Sequence, residues 1–292
     1  MQASKQRSTR AGSVIVEAVA QTGPKPPANP GGSGANPQPV EPLATAAADG
    51  SVTVRFSALA RGGFFGPDGE DPRLLAEIRH LKRSILKTAF GSLAEARSNV
   101  LAVTSALPEA GKTYLAASLS QALTLERDRS ALLVDGDDVR RTITKSLEQH
   151  GRKGLFDVLH DESLDPREFV LPTDMAGLSF LPVGGRFPDS NELLTSRRAL
   201  DVIESLSRAD PNRLVIIDCP PLLGSPNGTA LASLAGQTLV VVEAGVTDAD
   251  TLTRALDLLG RERPVALVMN KVPRSGLLSS RAGNYYYYGS RD

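Results

Sequence analysis

Cysteine is almost missing from this 292-residue chain. Cys219 stands alone, which excludes an internal disulfide and suits a reducing compartment. Histidine is scarce as well: His80, His150 and His160, together with one thiol, leave no metal-ligand spacing. Neither sign of charge dominates, because 33 Lys and Arg balance 33 Asp and Glu. No global field therefore points to nucleic acid or to an anionic membrane surface. Long apolar runs are missing too; stretches such as Leu239-Val-Val-Val242 fall far short of the roughly 20 residues of a membrane span. Near the start, Lys5, Arg7 and Arg10 precede Val14-Ile-Val16, but Glu17 interrupts a stretch already too short for a signal sequence. A cytoplasmic protein is expected.

What the chain does contain is unevenly spread. Apolar residues make up 41%, enough for a core. Residues 1–21 form a short N-terminal segment in which Ser13 to Gln21 could make an amphipathic helix. Residues 22–70 are rich in Pro and Gly early on (Gly23-Pro-Lys-Pro-Pro27, Pro30-Gly-Gly-Ser-Gly34) and are expected to be a disordered or weakly ordered linker. A domain is expected over 71–275 and a flexible tail over 276–292. Asp71-Pro72 is a helix-opening pair, and Leu74, Ile78, Leu81, Ile85 and Leu86 recur at helical spacing up to Phe90, with Gly91 as the stop. Arg79, Lys82, Arg83 and Lys87 are interleaved on the polar side. From Asn99 onward, short apolar runs (100–104, 131–134, 178–181, 214–217, 239–242, 265–269) alternate with helical segments at 112–126, 192–208 and 248–259. This alternation predicts an α/β fold, a mainly parallel sheet with helices on both faces. Ligands of such sheets sit at the carboxyl ends of the strands.

Three motifs fall at those ends. Thr104-Ser-Ala-Leu-Pro-Glu-Ala-Gly-Lys-Thr113 follows a strand and opens a helix, the context of an ATP-type phosphate loop. Backbone amides at the helix start face the phosphates, Lys112 reaches the terminal ones, and the Thr113 hydroxyl holds Mg²⁺. Ala106 replaces the usual first glycine, and Glu109 is expected to point to solvent. Leu132-Leu-Val-Asp-Gly-Asp137 ends a strand in Asp135 and Asp137, and Val215-Ile-Ile-Asp-Cys-Pro-Pro221 ends another in Asp218. Carboxylates so placed can hold Mg²⁺ and its waters, although Asp135 or Asp137 could instead cap a helix. The last feature is Tyr285, Tyr286, Tyr287 and Tyr288, a run of phenols on a Gly- and Ser-rich tail.

Taken together these motifs resemble the bacterial tyrosine kinases of capsule and exopolysaccharide synthesis, from about Val52 to Tyr288. Leu181-Pro-Val-Gly184 and Asn191-Glu-Leu-Leu194 look like that family's stretch between its aspartate motifs. Leu59-Ala-Arg-Gly-Gly63 and Ala76-Glu-Ile-Arg-His-Leu-Lys-Arg83 are similar to the autokinases encoded with exosortase systems. The resemblance implies a P-loop kinase fold with ATP and Mg²⁺ as cofactors. Lys112, Asp135 and Asp137 would be catalytic, with Asp135 helping to activate the attacking phenol. Ala110, Gly111, Lys112, Thr113, Tyr114 and, on the adenine side, Asn270 would bind nucleotide. Thr113, Asp137 and Asp218 would hold the metal, and Tyr285 to Tyr288 would accept phosphate. Two departures concern subunit assembly: Val139 fills the place of the usual arginine, with Arg140 one later, and Ala76 stands where the helix motif has its acid.

The resemblance further implies autophosphorylation in trans within a homo-oligomer, possibly a ring. It implies a membrane-embedded polysaccharide chain-length or export partner that recruits the protein to the inner face of the cell membrane, and a tyrosine phosphatase. Two other readings of the same motifs are a non-catalytic ATP-binding scaffold and a partitioning-type ATPase switch. The latter class carries a lysine early in its loop, where this chain has Leu107 and Pro108.

Overall fold

The computed structural model describes residues 15–18, 44–46, 52–62, 72–92, 94–260 and 263–272. Three short strands come first, β1 (Ile15–Ala18), β2 (Ala44–Ala46) and β3 (Val52–Val54), followed by helix α1 (Pro72–Phe90). The alternating part comprises β4 (Val100–Ser105), α2 (Lys112–Leu123), β5 (Ser130–Asp135), α3 (Thr142–Ser146), α4 (Leu155–His160), β6 (Leu171–Pro172), β7 (Leu178–Leu181), α5 (Ser190–Thr195) and α6 (Arg197–Arg208). It ends with β8 (Arg213–Asp218), α7 (Pro226–Leu234), β9 (Gln237–Glu243), α8 (Ala249–Asp257) and β10 (Val265–Asn270). All six apolar runs of the alternating part are strands, as their composition predicts.

One sheet of eight strands runs in the order β1-β10-β9-β4-β8-β5-β7-β6, parallel throughout except for the β6–β7 pair. Because side chains alternate across a strand, each apolar run serves two cores. Leu101, Val103, Leu133 and Ile216 pack against α1 and α2. Val100, Ala102, Val134 and Ile217 face the opposite way, against α4, α6 and α7.

Helix α1 buries Leu74, Ile78, Leu81, Ile85 and Ala89 and exposes Arg79, Arg83 and Lys87. Lys82 departs from the expected polar face. It is buried, donates to the Ala122 carbonyl at 3.0 Å and pairs with Glu126 at 2.6 Å. A cation at the carboxyl end of α2 complements that helix's dipole. The expected helix over 192–208 is broken in two at Ser196. Its backbone is extended (φ −74°, ψ 161°), and its Oγ accepts from the Ala199 N–H to cap α6. A serine that can satisfy a helix's free N–H starts a new helix rather than continuing the old one.

Two expectations for the N-terminal region are corrected. Ile15–Ala18 is a strand, not part of a helix; it runs parallel to β10 with Ile15 opposite Ala266. The β-branched pair Ile15-Val16 suits a strand, and β10 offers an unpaired row of backbone groups on that side. Residues 52–62 belong to the domain. Val54, Phe56 and Leu59 are buried in the α1–α2 core, Val54 bridges Thr173, and Asp174 accepts from the Ser57 amide at 3.1 Å and from its hydroxyl. The rest of the expected linker, apart from the β2–β3 hairpin, lies outside the described residues.

Phe56 is among the largest fully buried side chains. Phe56→Ala is expected to lower unfolding free energy by about 3 kcal/mol, the cost of a large core cavity. Urea denaturation measures it, and a loss below about 0.5 kcal/mol, typical of surface positions, would return this segment to linker status.

Candidate active site

Strand β4 leads into the phosphate loop and α2 leaves it, with Gly111 at φ 97°, a left-handed conformation that glycine adopts without strain. Glu109 also has positive φ, at 70°. Its side chain is 76% exposed and lies 3.5 Å from Arg140, so the acid turns away from the cradle as expected. The first half of the loop is tied to the segment after β8: Leu222 and Leu223 N–H donate to the Ser105 and Ala106 carbonyls. Ala106 is buried there.

Strand β8 lies between β4 and β5, and Asp218 and Asp135 are register partners at the ends of adjacent strands. Lys112, the first residue of α2, extends its ammonium into this acidic corner. Nζ is 3.0 Å from Asp137 Oδ2, 3.8 Å from Asp218 Oδ1 and 3.2 Å from Thr113 Oγ1. Burial opposes the lysine's charge, but Asp218 and Asp137 outweigh it and hold its pKa above the ordinary value.

The three carboxylates are differently employed. Asp135 is fully buried and accepts from the Thr144 N–H at 2.8 Å and the Asp137 N–H at 3.3 Å. Burial, its largest influence, raises its pKa despite those donors. It thereby ties α3 and the Asp137 turn to the sheet. Asp137 also receives the Arg140 N–H at 2.9 Å, a local turn bond. Asp218 has no exposed surface, and neither of its carboxylate oxygens has a hydrogen-bond partner among the described residues. Burial pushes its carboxyl up to about 7, with Lys112 opposing and Asp135 adding to the rise.

This corner fits a divalent cation. Two carboxylates, Asp137 and Asp218, face one ammonium, so the fully ionised trio carries one excess negative charge even before Asp135 is counted, and a buried carboxylate without a hydrogen-bond partner among the described residues needs one. Among the described residues no three His, Cys, Asp or Glu side chains converge as a complete metal cage. That suits Mg²⁺, which takes one or two carboxylates and fills its other positions with phosphate oxygens and water.

Tyr114 packs against the α1–α2 core, and burial raises its pKa. Asn270, at the end of β10, donates from Nδ2 to the Ala110 carbonyl at 2.8 Å, while its buried Oδ1 has no partner among the described residues. Sequence reading missed Thr144, Lys271 and Glu243. Thr144 gave no motif, but Lys271 adjoins Asn270 at a strand end and could have been noticed. Tyr285 to Tyr288 lie outside the described residues.

No family model matches the chain. The succinoglycan biosynthesis transport protein ExoP of Rhizobium meliloti (strain 1021) is 30% identical over 190 residues, 63% of this chain and 24% of that protein. The tyrosine-protein kinase YwqD of Bacillus subtilis (strain 168) is 27% identical over 206 residues, 70% of this chain and 82% of that protein. The solved BceF tyrosine kinase domain matches with a TM-score of 0.61 at 25% identity, over 76% of this chain and 84% of that one. The chain is similar to bacterial tyrosine kinases and shares the fold of their kinase domains. It covers 26–28% of the length of the first curated relatives it matches.

The raised Asp218 pKa has a direct consequence. The native state holds this proton more tightly than the unfolded chain between about pH 4 and pH 7, so stability falls as pH rises through that window. Asp135, also raised, acts with the same sign. Nucleotide-free protein should melt at lower temperature at pH 8 than at pH 5. Asp218→Asn should reduce that fall and melt roughly 5 °C above wild type at pH 8. An unchanged pH slope in D218N would contradict the assignment.

Proposed function

We propose that the chain binds ATP with Mg²⁺ and transfers the γ-phosphoryl group to tyrosines of the cluster Tyr285 to Tyr288, on a neighbouring copy. The observation that carries this reading is the Lys112 ammonium beside the buried, unsatisfied Asp218 carboxylate at the root of a phosphate loop. The kinship with named tyrosine kinases supports phosphoryl transfer as the reaction. The ExoP relative supports a setting in exopolysaccharide synthesis or export.

Thr113, Asp137 and Asp218 are the residues to hold the metal, which when bound supplies charge neutralisation on the phosphate oxygens. Lys112 exchanges its contact with Asp137 for the terminal phosphates. The loop amides of Ala110 through Tyr114 line the phosphate side, and Asn270, whose Oδ1 has no partner among the described residues, stands toward the base. In transfer, the phenolic oxygen forms a bond to the γ-phosphorus, the bridging P–O bond breaks, and ADP leaves with that oxygen. A loose transition state places little charge on the attacking phenol, so positioning matters more than a strong base. Asp135, fully buried and held by the Thr144 and Asp137 N–H groups, supports Asp137 from below instead of activating the phenol as the resemblance implies, and the phenolic proton passes to the Asp137 carboxylate that Lys112 has left.

The roughly 12 residues from about Pro273 to Tyr285 can bridge at most about 40 Å, so chain length permits either cis or trans transfer. Trans transfer agrees with a homo-oligomer. Among the described residues no helix is long and apolar enough to cross a membrane. Recruitment to the inner face of the cell membrane by a polysaccharide export protein, and reversal by a tyrosine phosphatase, complete the proposal.

Incubation with labelled ATP and Mg²⁺ tests it. Lys112→Met should cut phosphotyrosine formation by about 100-fold or more while leaving the circular dichroism spectrum intact. A variant with all four tyrosines changed to Phe should accept no label. Mixed with the K112M protein, it should phosphorylate that partner's tail. Label on K112M alone defeats the lysine assignment, and no label in the mixture restricts transfer to cis.

A further inference from the structure

Two side chains from the end of β10 grip the phosphate loop from behind. Asn270 Nδ2 donates to the Ala110 carbonyl at 2.8 Å, and Lys271 Nζ donates to the Glu109 carbonyl at 2.7 Å. Lys271 is itself anchored, since its ammonium lies 3.0 Å from Glu243 Oε1. Glu243 ends β9 and is the register partner of Asn270. The grip therefore begins from two neighbouring strands of the sheet and ends on two consecutive loop peptides.

Peptide geometry gives this grip a direction. In a trans peptide the carbonyl and the next residue's N–H point opposite ways. Drawing the Glu109 and Ala110 carbonyls toward β10 turns the Ala110 and Gly111 N–H groups away from it, into the concave side of the loop. Those are amides on which a phosphate cradle relies. Neither end of this contact has relaxed backbone: Glu109 in the loop sits at φ 70° and Lys271 after β10 at φ 57°, a region that residues with side chains seldom enter. The two residues are joined directly by the Lys271 hydrogen bond. Local departures from ordinary backbone geometry persist where the surroundings fix them, and here the fixing group is an ion pair rooted in the sheet.

We propose that Lys271 and Asn270 are positioning residues that set affinity for the diphosphate part of a nucleotide by orienting the Ala110 and Gly111 amides, with Glu243 as the anchor of the clamp. The proposal rests on the nucleotide reading above. It differs from simple attraction between Lys271 and phosphate, because Glu243 already balances the lysine's charge.

Calorimetric titration of the full chain with ADP and Mg²⁺, and separately with adenosine, decides between them. Lys271→Met is expected to weaken ADP binding roughly tenfold, the value of one hydrogen bond from a charged donor. Lys271→Arg, which keeps a donor and a charge, should stay within about threefold of wild type on the same scale. Glu243→Gln carries the sharpest contrast. Removal of a negative charge would tighten ADP binding if attraction were the cause, whereas loss of the anchor should weaken it. Adenosine binding should be the same in all variants, because the clamp acts on phosphate contacts alone. Should K271M fail to fold in a thermal melt, E243Q and K271R still decide. Wild-type affinity for ADP in K271M, or tighter binding in E243Q, overturns the clamp while leaving the nucleotide site intact. Absence of ADP binding to the wild-type chain would overturn the nucleotide reading and the clamp together.

Discussion

A single ammonium group, that of Lys112, lies almost without solvent exposure beside Asp137 and Asp218. A charge so buried is costly unless it is paired, and carboxylates so buried are costly for the same reason. Each makes the other tolerable. Asp218 shows how incomplete the arrangement is: its oxygens lack hydrogen bonds among the described residues, and burial pushes its carboxyl up to about 7. A polyanion with its counter-ion would satisfy both kinds of group at once. The nucleotide-free corner is best understood as a set of charges that settle for one another.

The sheet order brings this about. β4 carries the loop and neighbours β8 and β9, not the next strand in sequence, so the two aspartate motifs come to stand side by side with Asp135 opposite Asp218. Gly136 lets the Asp137 turn lean back over β8. Its N–H donates to the Asp218 carbonyl, and a Cβ there would lie 2.9 Å from that same oxygen. Asp135 then fastens α3 through Thr144, whose hydroxyl accepts from the Val183 N–H. The acidic corner is therefore continuous with the body of the domain.

The departures from family pattern have local consequences. Ala106 in place of the first glycine is accommodated by burial against the segment after β8. Val139 is exposed where an arginine is usual, and Arg140, one residue later, pairs with Glu109 over the loop. The loop keeps its form through contacts to two other strand ends, so fewer glycines suffice.

Much of this was legible in the residues themselves. Six short apolar runs between helical segments all became strands of the sheet, and helix α1 announced its start at Asp71-Pro72 and its stop at Gly91. Lys112, Asp137 and Asp218 were legible because their chemistry depends on positions next to strand ends, which local patterning fixes. Elsewhere a long-range partner overrode the local signal. Ile15–Ala18 became a strand because β10 offered an edge, Phe56 was drawn into the core from an apparently poor linker, and Ser196 divided a helix by capping its second half. The sequence by itself determined the fold class and put Lys112, Asp135, Asp137 and Asp218 at strand and helix ends, since periodicity and motif spacing are local properties. Only the tertiary structure decided that Asp218 is fully buried at the end of β8 beside Asp135, that Asp135 is an anchor, and that Lys271 reaches the loop from 162 residues away, because each depends on which strands lie side by side.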